Sequence, residues 1–139
     1  MRSCTKIIVR YAETDQMGVV HHSNYPIWYE AARVDLIKNM GISYEQLEEE
    51  GIILPLIRME SKFIKPALFG NEVIVEVRLV KLTQVKMELH YKVYREKEEK
   101  PINEGLTAHG IVGKDMKPIM LKKKFPELYE KLLKACETI

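Results

Sequence analysis

One segment of the chain, residues 11–33, brings a carboxylate close to the start of a helix. Asp15 precedes Gly18 by three residues, and Pro26 follows shortly after. Glycine permits a sharp turn, and proline is favoured in the first turn of a helix because its missing N–H would have no partner there. The segment therefore predicts a loop that carries Asp15 and ends in a helix beginning near residues 24–25.

The chemistry that this spacing allows is attack on, or hydration of, an activated carbonyl group. A carboxylate can act as a nucleophile or as the general base for water. The free backbone N–H groups at the helix start, near His22, can stabilise the oxyanion that forms. The alternative for Asp15 alone is a solvated loop acid or a local cap.

The other reactive side chains do not predict a metal centre. His21 and His22 are adjacent, so their side chains are expected to diverge, and one of them is predicted to face substrate as a donor or proton carrier. His90 and His109 are predicted to be structural. The chain contains no glycine-rich phosphate loop, nucleophile elbow or zinc-protease motif. We therefore predict no metal and no cofactor.

The helix that follows the loop is predicted to be the central element of the fold. Gly41 is expected to end it. Apolar residues cover more than half of its circumference, which predicts a helix wrapped by a sheet. One side carries Tyr25, Trp28, Tyr29, Ala32 and Leu36, and a second side carries Ile27, Ala31 and Val34.

The remaining elements are predicted to form that sheet. A first strand is predicted over Lys6–Tyr11, with Ile7, Val9 and Tyr11 on one face. A short helix is capped by Ser43 and ends at Gly51. Alternating apolar residues then predict four strands over residues 52–64, 73–80, 86–93 and 102–112. Gly105 and Gly110 are expected to mark a bulge or a close approach of backbone or ligand, and Pro126 begins a C-terminal helix.

This order of elements predicts an α+β fold in one domain spanning residues 1–139. Strands and helices do not alternate, which argues against a doubly wound parallel sheet. A five-stranded antiparallel sheet curled around the long central helix is the simplest arrangement that covers that helix.

Composition excludes several classes of protein. Of the 139 residues, 46% are hydrophobic and 30% are charged, and the net charge of +2 is too small to indicate a nucleic-acid partner. No apolar stretch is long enough to span a membrane, and no signal peptide is recognisable, so a cytoplasmic location is expected.

Cys4 and Cys136 are predicted to be free thiols. The basic cluster Lys122–Lys124 is predicted to be either a solvated helix approach or a contact for phosphate.

With these residues in place, the loop and helix resemble the 4-hydroxybenzoyl-CoA thioesterase family, in particular its YbgC-like acyl-CoA thioesterase branch. A second, supporting likeness is the turn from Pro66 to Val73. The matching motif is Asp15-x-x-Gly18-Val19-Val20-His21-His22-x-x-Tyr25, followed by Trp28, Glu30, Ala31 and Arg33.

The resemblance implies a hot-dog fold that dimerises edge to edge and often forms tetramers. It implies that Asp15 is the nucleophile or general base and that the backbone N–H of His22 polarises the carbonyl. The His22 side chain matches a histidine of this branch. The motif residues Gly18, Val19 and Tyr25 are predicted to bind substrate, and Lys122–Lys124 are candidates for the CoA phosphates.

The leading functional prediction is therefore hydrolysis of an acyl-CoA thioester to a free acid and CoA, with CoA as part of the substrate. One alternative is a hot-dog hydratase or dehydratase, whose arrangement of aspartate and histidine differs from the one in this chain. The other is a non-catalytic module that binds acyl thioesters or lipids. Turnover that depends on Asp15 distinguishes hydrolysis from binding alone.

Overall fold

The central helix, α1, spans Tyr25–Asn39 in a computed structural model that describes residues 1–137. Its start is as predicted, because Pro26 lies in the first turn, where no backbone N–H is required. Gly41, at a φ of 82°, follows the helix end in the left-handed conformation that glycine favours. The face that packs on the sheet consists of Tyr25, Trp28, Tyr29, Ala32, Leu36 and Ile37.

The sheet confirms the predicted architecture. Five antiparallel strands lie in the order β1-β3-β4-β5-β2, and α1 packs against the sheet. This is the hot-dog arrangement that the sequence motif implied. The strands are β1 (Arg2–Ile8), β2 (Leu56–Phe63), β3 (Glu72–Leu82), β4 (Lys86–Arg95) and β5 (Asn103–Gly110).

Three further α-helices lie within residues 1–137. Ser43 caps α2, since its side chain accepts a hydrogen bond of 3.0 Å from the Gln46 amide, as predicted. Leu132 and Ala135 of α4 are buried in the core. The bounds are α2 (Tyr44–Glu49), α3 (Leu121–Lys124) and α4 (Pro126–Ala135).

The first strand departs from the prediction. β1 ends at Ile8, and Tyr11 begins a 3-10 turn with its side chain 75% exposed, so it does not share a buried face with Val9. Ser3 is buried within β1. The inward positions of β1 thus include a polar residue, and that obscures the alternation by which a strand is recognised.

The second apolar side of α1 is also not covered as predicted. Ile27 is 58% exposed and Val34 is 39% exposed, and Ala31 is exposed beside them. The sheet of this chain covers only one side of the helix. The apolar composition of the second side predicted a covered surface, and this chain leaves that side exposed.

Gly105 provides the close approach that the sequence predicted, but the neighbour is a side chain. A Cβ atom at this position would lie 2.3 Å from the Tyr29 hydroxyl oxygen. That hydroxyl hydrogen-bonds Ser61 and Asn103, and Asn103 donates to Ser61 over 2.9 Å. Burial raises the pKa of Tyr29 to about 12. The glycine therefore lets α1 lie close to β5 through a satisfied polar contact.

The two ends of the sheet carry different structures. At the Phe63 end, β1, β2 and β4 finish while β3 and β5 begin. The opposite end, at Leu56, contains the β3–β4 hairpin and α3. α1 begins against Phe63, because the rings of Tyr25 and Phe63 pack with centroids 5.1 Å apart.

β2 is an edge strand with an apolar surface. It pairs with β5 on one side only, and its burial pattern is almost entirely exposed. An exposed apolar edge of this kind is a site where another strand can pair. The large side chains that it exposes are Leu56, Ile57, Met59 and Phe63.

Candidate active site

The loop between β1 and α1 holds Asp15 in a tight, hydrogen-bonded turn. The Asp15 amide donates to the Val19 carbonyl over 2.8 Å, and the Gly18 amide donates to the Asp15 carbonyl over 3.0 Å. Gly18 has a φ of 78°, a conformation that side chains disfavour. The turn is further closed by a bridge between Thr14 and Val20.

The Asp15 carboxylate is half-buried and fixed through one of its oxygens. Oδ1 accepts from the Met17 amide over 2.8 Å and from the Val19 amide over 3.4 Å. Among residues 1–137, the carboxylate accepts no other hydrogen bond and forms no ion pair. Oδ2 is thus free to attack a substrate or to accept a proton from water, and the side chain is also the local cap that the sequence suggested.

A second carboxylate, Glu13, anchors this loop, and sequence reasoning missed it. Its side chain is 4% exposed. Oε1 accepts from the Arg10 amide over 2.8 Å, and Oε2 accepts from the indole N–H of Trp28 over 2.9 Å. The Glu13 carbonyl also accepts from the His21 amide and from the Asn24 side chain. A buried charge persists only with such partners, so Glu13 ties both ends of the loop to α1.

His22 begins the 3-10 turn His22–Asn24 that leads into α1, and His21 immediately precedes this turn as its N-cap. Nδ1 of His21 accepts from the Ser23 amide over 3.2 Å, which caps the turn. The imidazole rings lie close together, with centroids 4.0 Å apart. They do not diverge as predicted. His22 is exposed and is the first residue of the turn, where a backbone N–H has no acceptor within the helix.

The predicted substrate-binding residues differ in accessibility. Val19 forms a bridge with Leu68, beside the exposed Gly18. Tyr25 is only 2% exposed and packs against Trp28 and Phe63, and burial raises its pKa. Tyr25 therefore belongs to the core of this chain and has almost no surface that a ligand could contact.

The basic cluster Lys122–Lys124 lies at the far end of the sheet from Asp15. It forms α3, and the amide of the preceding Leu121 donates to Gln84 in the β3–β4 hairpin. The structure does not bring these lysines together with Asp15 in one subunit.

The remaining histidines have structural partners. His90 contacts Glu88 over 2.9 Å. His109 is 3% exposed and ends a chain of hydrogen bonds that runs from Arg33 through Tyr91 and Thr107. Because the Leu54 carbonyl only accepts, Nδ1–H of His109 donates to it, and Nε2 of the neutral ring accepts from the Thr107 hydroxyl.

This donor order requires a neutral His109. Burial, with a smaller effect of the Arg33 charge, lowers the pKa of His109. No cluster of three or more His, Cys, Asp or Glu side chains with metal-binding geometry occurs within residues 1–137. In the same part of the chain, none of the helices is long and apolar enough to cross a bilayer.

The arrangement joins a carboxylate with one free oxygen to the start of a helix. Asp15 and the His22 amide belong to one loop, whose ends are tied together through Glu13. In such an arrangement the carboxylate can activate water or attack a carbonyl carbon, while the backbone N–H group at the helix start stabilises the oxyanion.

Known proteins share both the sequence and the fold. The family model of the thioesterase-like superfamily matches residues 9–135. A putative acyl-CoA thioesterase, YneP of Bacillus subtilis, is 36% identical over 131 residues, which cover 94% of each chain. A DHNA-CoA thioesterase structure from Staphylococcus aureus has a TM-score of 0.91 at 36% identity, covering 96% of this chain and 89% of that one.

A further structure, the hypothetical protein TT1821 from Thermus thermophilus, is 38% identical with a TM-score of 0.89 and covers 99% of this chain and 100% of that one. The match extends over nearly the whole length and includes the loop that carries Asp15. The chain belongs to the thioesterase-like superfamily.

Proposed function

We propose that this protein hydrolyses acyl-CoA thioesters and that Asp15 is its catalytic residue. The observation that carries the proposal is the fixed Asp15 carboxylate, whose Oδ1 is held by two loop amides while Oδ2 has no protein donor in the part of the chain that is described. Family membership and the thioesterase names of the similar proteins support the same reaction.

The reaction has two possible courses at this site. As a general base, Asp15 takes a proton from water, the hydroxide adds to the thioester carbonyl, and the C–S bond breaks to release the acid and CoA. As a nucleophile, Oδ2 adds to the carbonyl and expels CoA, and water then hydrolyses the mixed anhydride. In both courses the His22 amide stabilises the oxyanion.

The test is thiol release from short, long and aromatic acyl-CoAs. The aromatic esters are included because a similar protein is named a DHNA-CoA thioesterase. We expect turnover of at least one ester by the wild type. Reversible hydration of an enoyl-CoA without thiol release would favour the hydratase, and saturable binding without turnover would favour a binding module.

A single turnover stopped by a rapid acid quench separates the two courses. A nucleophilic Asp15 carries the acyl group as a mixed anhydride, which adds the mass of that group, whereas a general base is never acylated. Mass spectrometry of the peptide that contains Asp15 reads this outcome.

We also propose that the protein forms a dimer through β2. The strand has a free edge and exposes four large apolar side chains, whereas the other edge strand, β1, is covered in part by contacts to the end of α4. A two-fold axis through Met59 would place Arg58 of each strand opposite Glu60 of the other. These side chains already form an ion pair of 2.7 Å within one subunit.

Met59→Lys tests this interface. Light scattering should find a dimer for the wild type and a smaller species for the variant, because two lysines would meet at the axis without partners. Leu133→Lys, at an exposed position of α4, is the matched charge change and should leave the mass unaltered. A wild-type monomer at micromolar concentration would contradict the proposal.

A further inference from the structure

The backbone amides of residues 21–25, where the loop enters α1, are almost all satisfied within the protein. The His21 amide donates to the Glu13 carbonyl over 2.8 Å, and the amides of residues 23–25 donate to acceptors on His21 and His22. Within residues 1–137, the His22 N–H has no protein acceptor. It is therefore the amide of this segment that can donate to a substrate oxygen.

The direction of the His22 N–H depends on the carbonyl of the same peptide group, which belongs to His21. This carbonyl accepts from the Asn24 amide over 3.0 Å and from the side-chain nitrogen Nδ2 of Asn24 over 3.2 Å. The peptide bond is trans, so its C=O and N–H groups point in opposite directions. The two donors of Asn24 thus hold the carbonyl and direct the N–H away from Asn24.

The side chain of Asn24 is itself fixed by a second bond. Nδ2 also donates to the Glu13 carbonyl, over 2.9 Å. Both partners of Nδ2 are carbonyl oxygens, which only accept, so the side-chain amide must turn its NH₂ group toward them.

Asn24 does not have the usual role of an asparagine before a helix. Such a residue commonly accepts a hydrogen bond from an amide of the first turn, but the Asn24 side chain makes no such cap. Its backbone is already helical, with a φ of −83° and a ψ of −21°, because the 3-10 turn continues directly into α1. The side chain therefore holds the preceding loop and leaves the helix start uncapped.

These bonds affect an oxyanion at the His22 amide in two ways. A peptide that is already held in place needs no reorganisation when negative charge develops on the substrate oxygen. Hydrogen bonds to the His21 carbonyl also polarise the peptide, which makes the N–H at its other end a stronger donor.

We propose that Asn24 is a positioning residue for thioester hydrolysis, because its side-chain amide holds the His21 carbonyl so that the His22 N–H points at the thioester oxygen. This inference rests on the proposed thioesterase activity. Asn24 acts through the peptide between residues 21 and 22 and not on the reacting atoms themselves.

The first test is the kinetics of Asn24→Ala, which removes both hydrogen bonds of Nδ2. Loss of an oxyanion donor lowers kcat about a hundredfold or more, and a donor that is only misdirected should lose part of this, so we expect kcat to fall about tenfold. KM should stay within a factor of about two. Asn24→Asp keeps the shape but presents only acceptors to the two carbonyls, so its kcat should fall at least as far.

Asn39→Ala is the matched control, since it removes an asparagine donor from the other end of α1. Nδ2 of Asn39 donates to the Ser3 hydroxyl over 2.8 Å. We expect this variant to keep the kcat and KM of the wild type. Melting temperatures of both variants show how far each substitution destabilises the protein.

The second test distinguishes positioning from a purely structural role. The probe is the acyl-CoA that the wild type hydrolyses fastest, labelled with ¹³C at its thioester carbonyl and bound to Asp15→Asn. Hydrogen bonding weakens a C=O bond, so binding should lower the infrared stretching frequency of this carbonyl. Adding Asn24→Ala should remove part of the lowering, whereas adding Asn39→Ala should not.

The outcomes separate this inference from the proposed function. If the wild type hydrolyses the ester, an unchanged kcat or an unchanged carbonyl frequency in the Asn24→Ala proteins overturns the role of Asn24 alone. An equal fall of kcat in Asn39→Ala does the same. Absence of thiol release from every acyl-CoA by the wild type overturns the proposed function and this inference together.

Discussion

Replacing Glu13 with glutamine tests whether this buried carboxylate organises the Asp15 loop. The two Glu13 oxygens accept from two donors, the Arg10 amide and the Trp28 indole. Glutamine has the same shape but only one acceptor oxygen, so its NH₂ group must face one of these donors. Hydrogen bonds to a charged group contribute about 1.5–3 kcal/mol, and we expect the free energy of unfolding to fall by that amount.

The effect on catalysis should appear mainly in kcat. The Glu13 carbonyl accepts from the His21 amide, so a displaced Glu13 shifts the His22 amide relative to Asp15. We expect kcat to fall about tenfold, equivalent to about 1.4 kcal/mol of transition-state stabilisation, with KM within a factor of about two.

Trp28→Phe is the matched partner variant, because it keeps an aromatic ring and removes the indole donor. Denaturant unfolding and thioester kinetics of Glu13→Gln, Trp28→Phe and the double variant form a mutant cycle. We expect a coupling energy of at least about 1 kcal/mol in stability. If Glu13→Gln unfolds within about 0.5 kcal/mol of the wild type and keeps its kcat, the assigned role of Glu13 is wrong.

Two predictions concern the core. Gly105→Ala should destabilise the protein by about 1–3 kcal/mol or more, because the added Cβ atom would overlap Tyr29. In thermal unfolding, the double variant with Tyr29→Leu should recover part of this loss, and additive losses would show that the contact with Tyr29 is not the cause. The lowered pKa of His109 predicts that stability decreases as pH falls below the unfolded-state value of about 6.5, because the unfolded chain then binds a proton that the folded chain resists. Glutamine can keep both hydrogen bonds without titrating, so His109→Gln should make the melting temperature depend less on pH between about pH 5 and 7. The same dependence of melting temperature on pH in the variant and the wild type would contradict this explanation.

The long helix and the order of the strands could be predicted because local chemistry specifies them. Pro26 and Gly41 mark the two ends of α1, and Ser43 marks the start of α2. The alternation in β3 is clear, because Val73, Val75, Val77 and Leu79 are all fully buried.

The predictions that failed concerned residues whose burial depends on partners distant in the sequence. Glu13 is buried because it contacts the Trp28 indole fifteen residues later, and no local pattern announces that pair. The exposed side of α1, with Ile27 and Val34, has the same apolar composition as its buried side. A hydrophobic pattern indicates that a surface is to be covered, but it does not say by which chain.

The candidate site was predictable only in part. The sequence identified Asp15 and the helix start, and the structure places them on one loop. It did not reveal that Tyr25 is buried, since an aromatic residue at helical spacing suits a core as well as a binding site. It also could not show that the lysine cluster and Asp15 lie at opposite ends of one sheet, because that separation follows from the strand order.

The most direct test of the central claim is the turnover number of Asp15→Asn on the best acyl-CoA substrate of the wild type. Asparagine keeps the acceptor oxygen for the Met17 and Val19 amides, so circular dichroism and melting temperature should match the wild type. We expect kcat to fall by about a hundredfold or more, the loss typical when a general base is removed. A folded Asp15→Asn protein that retains full thioesterase activity would contradict the account.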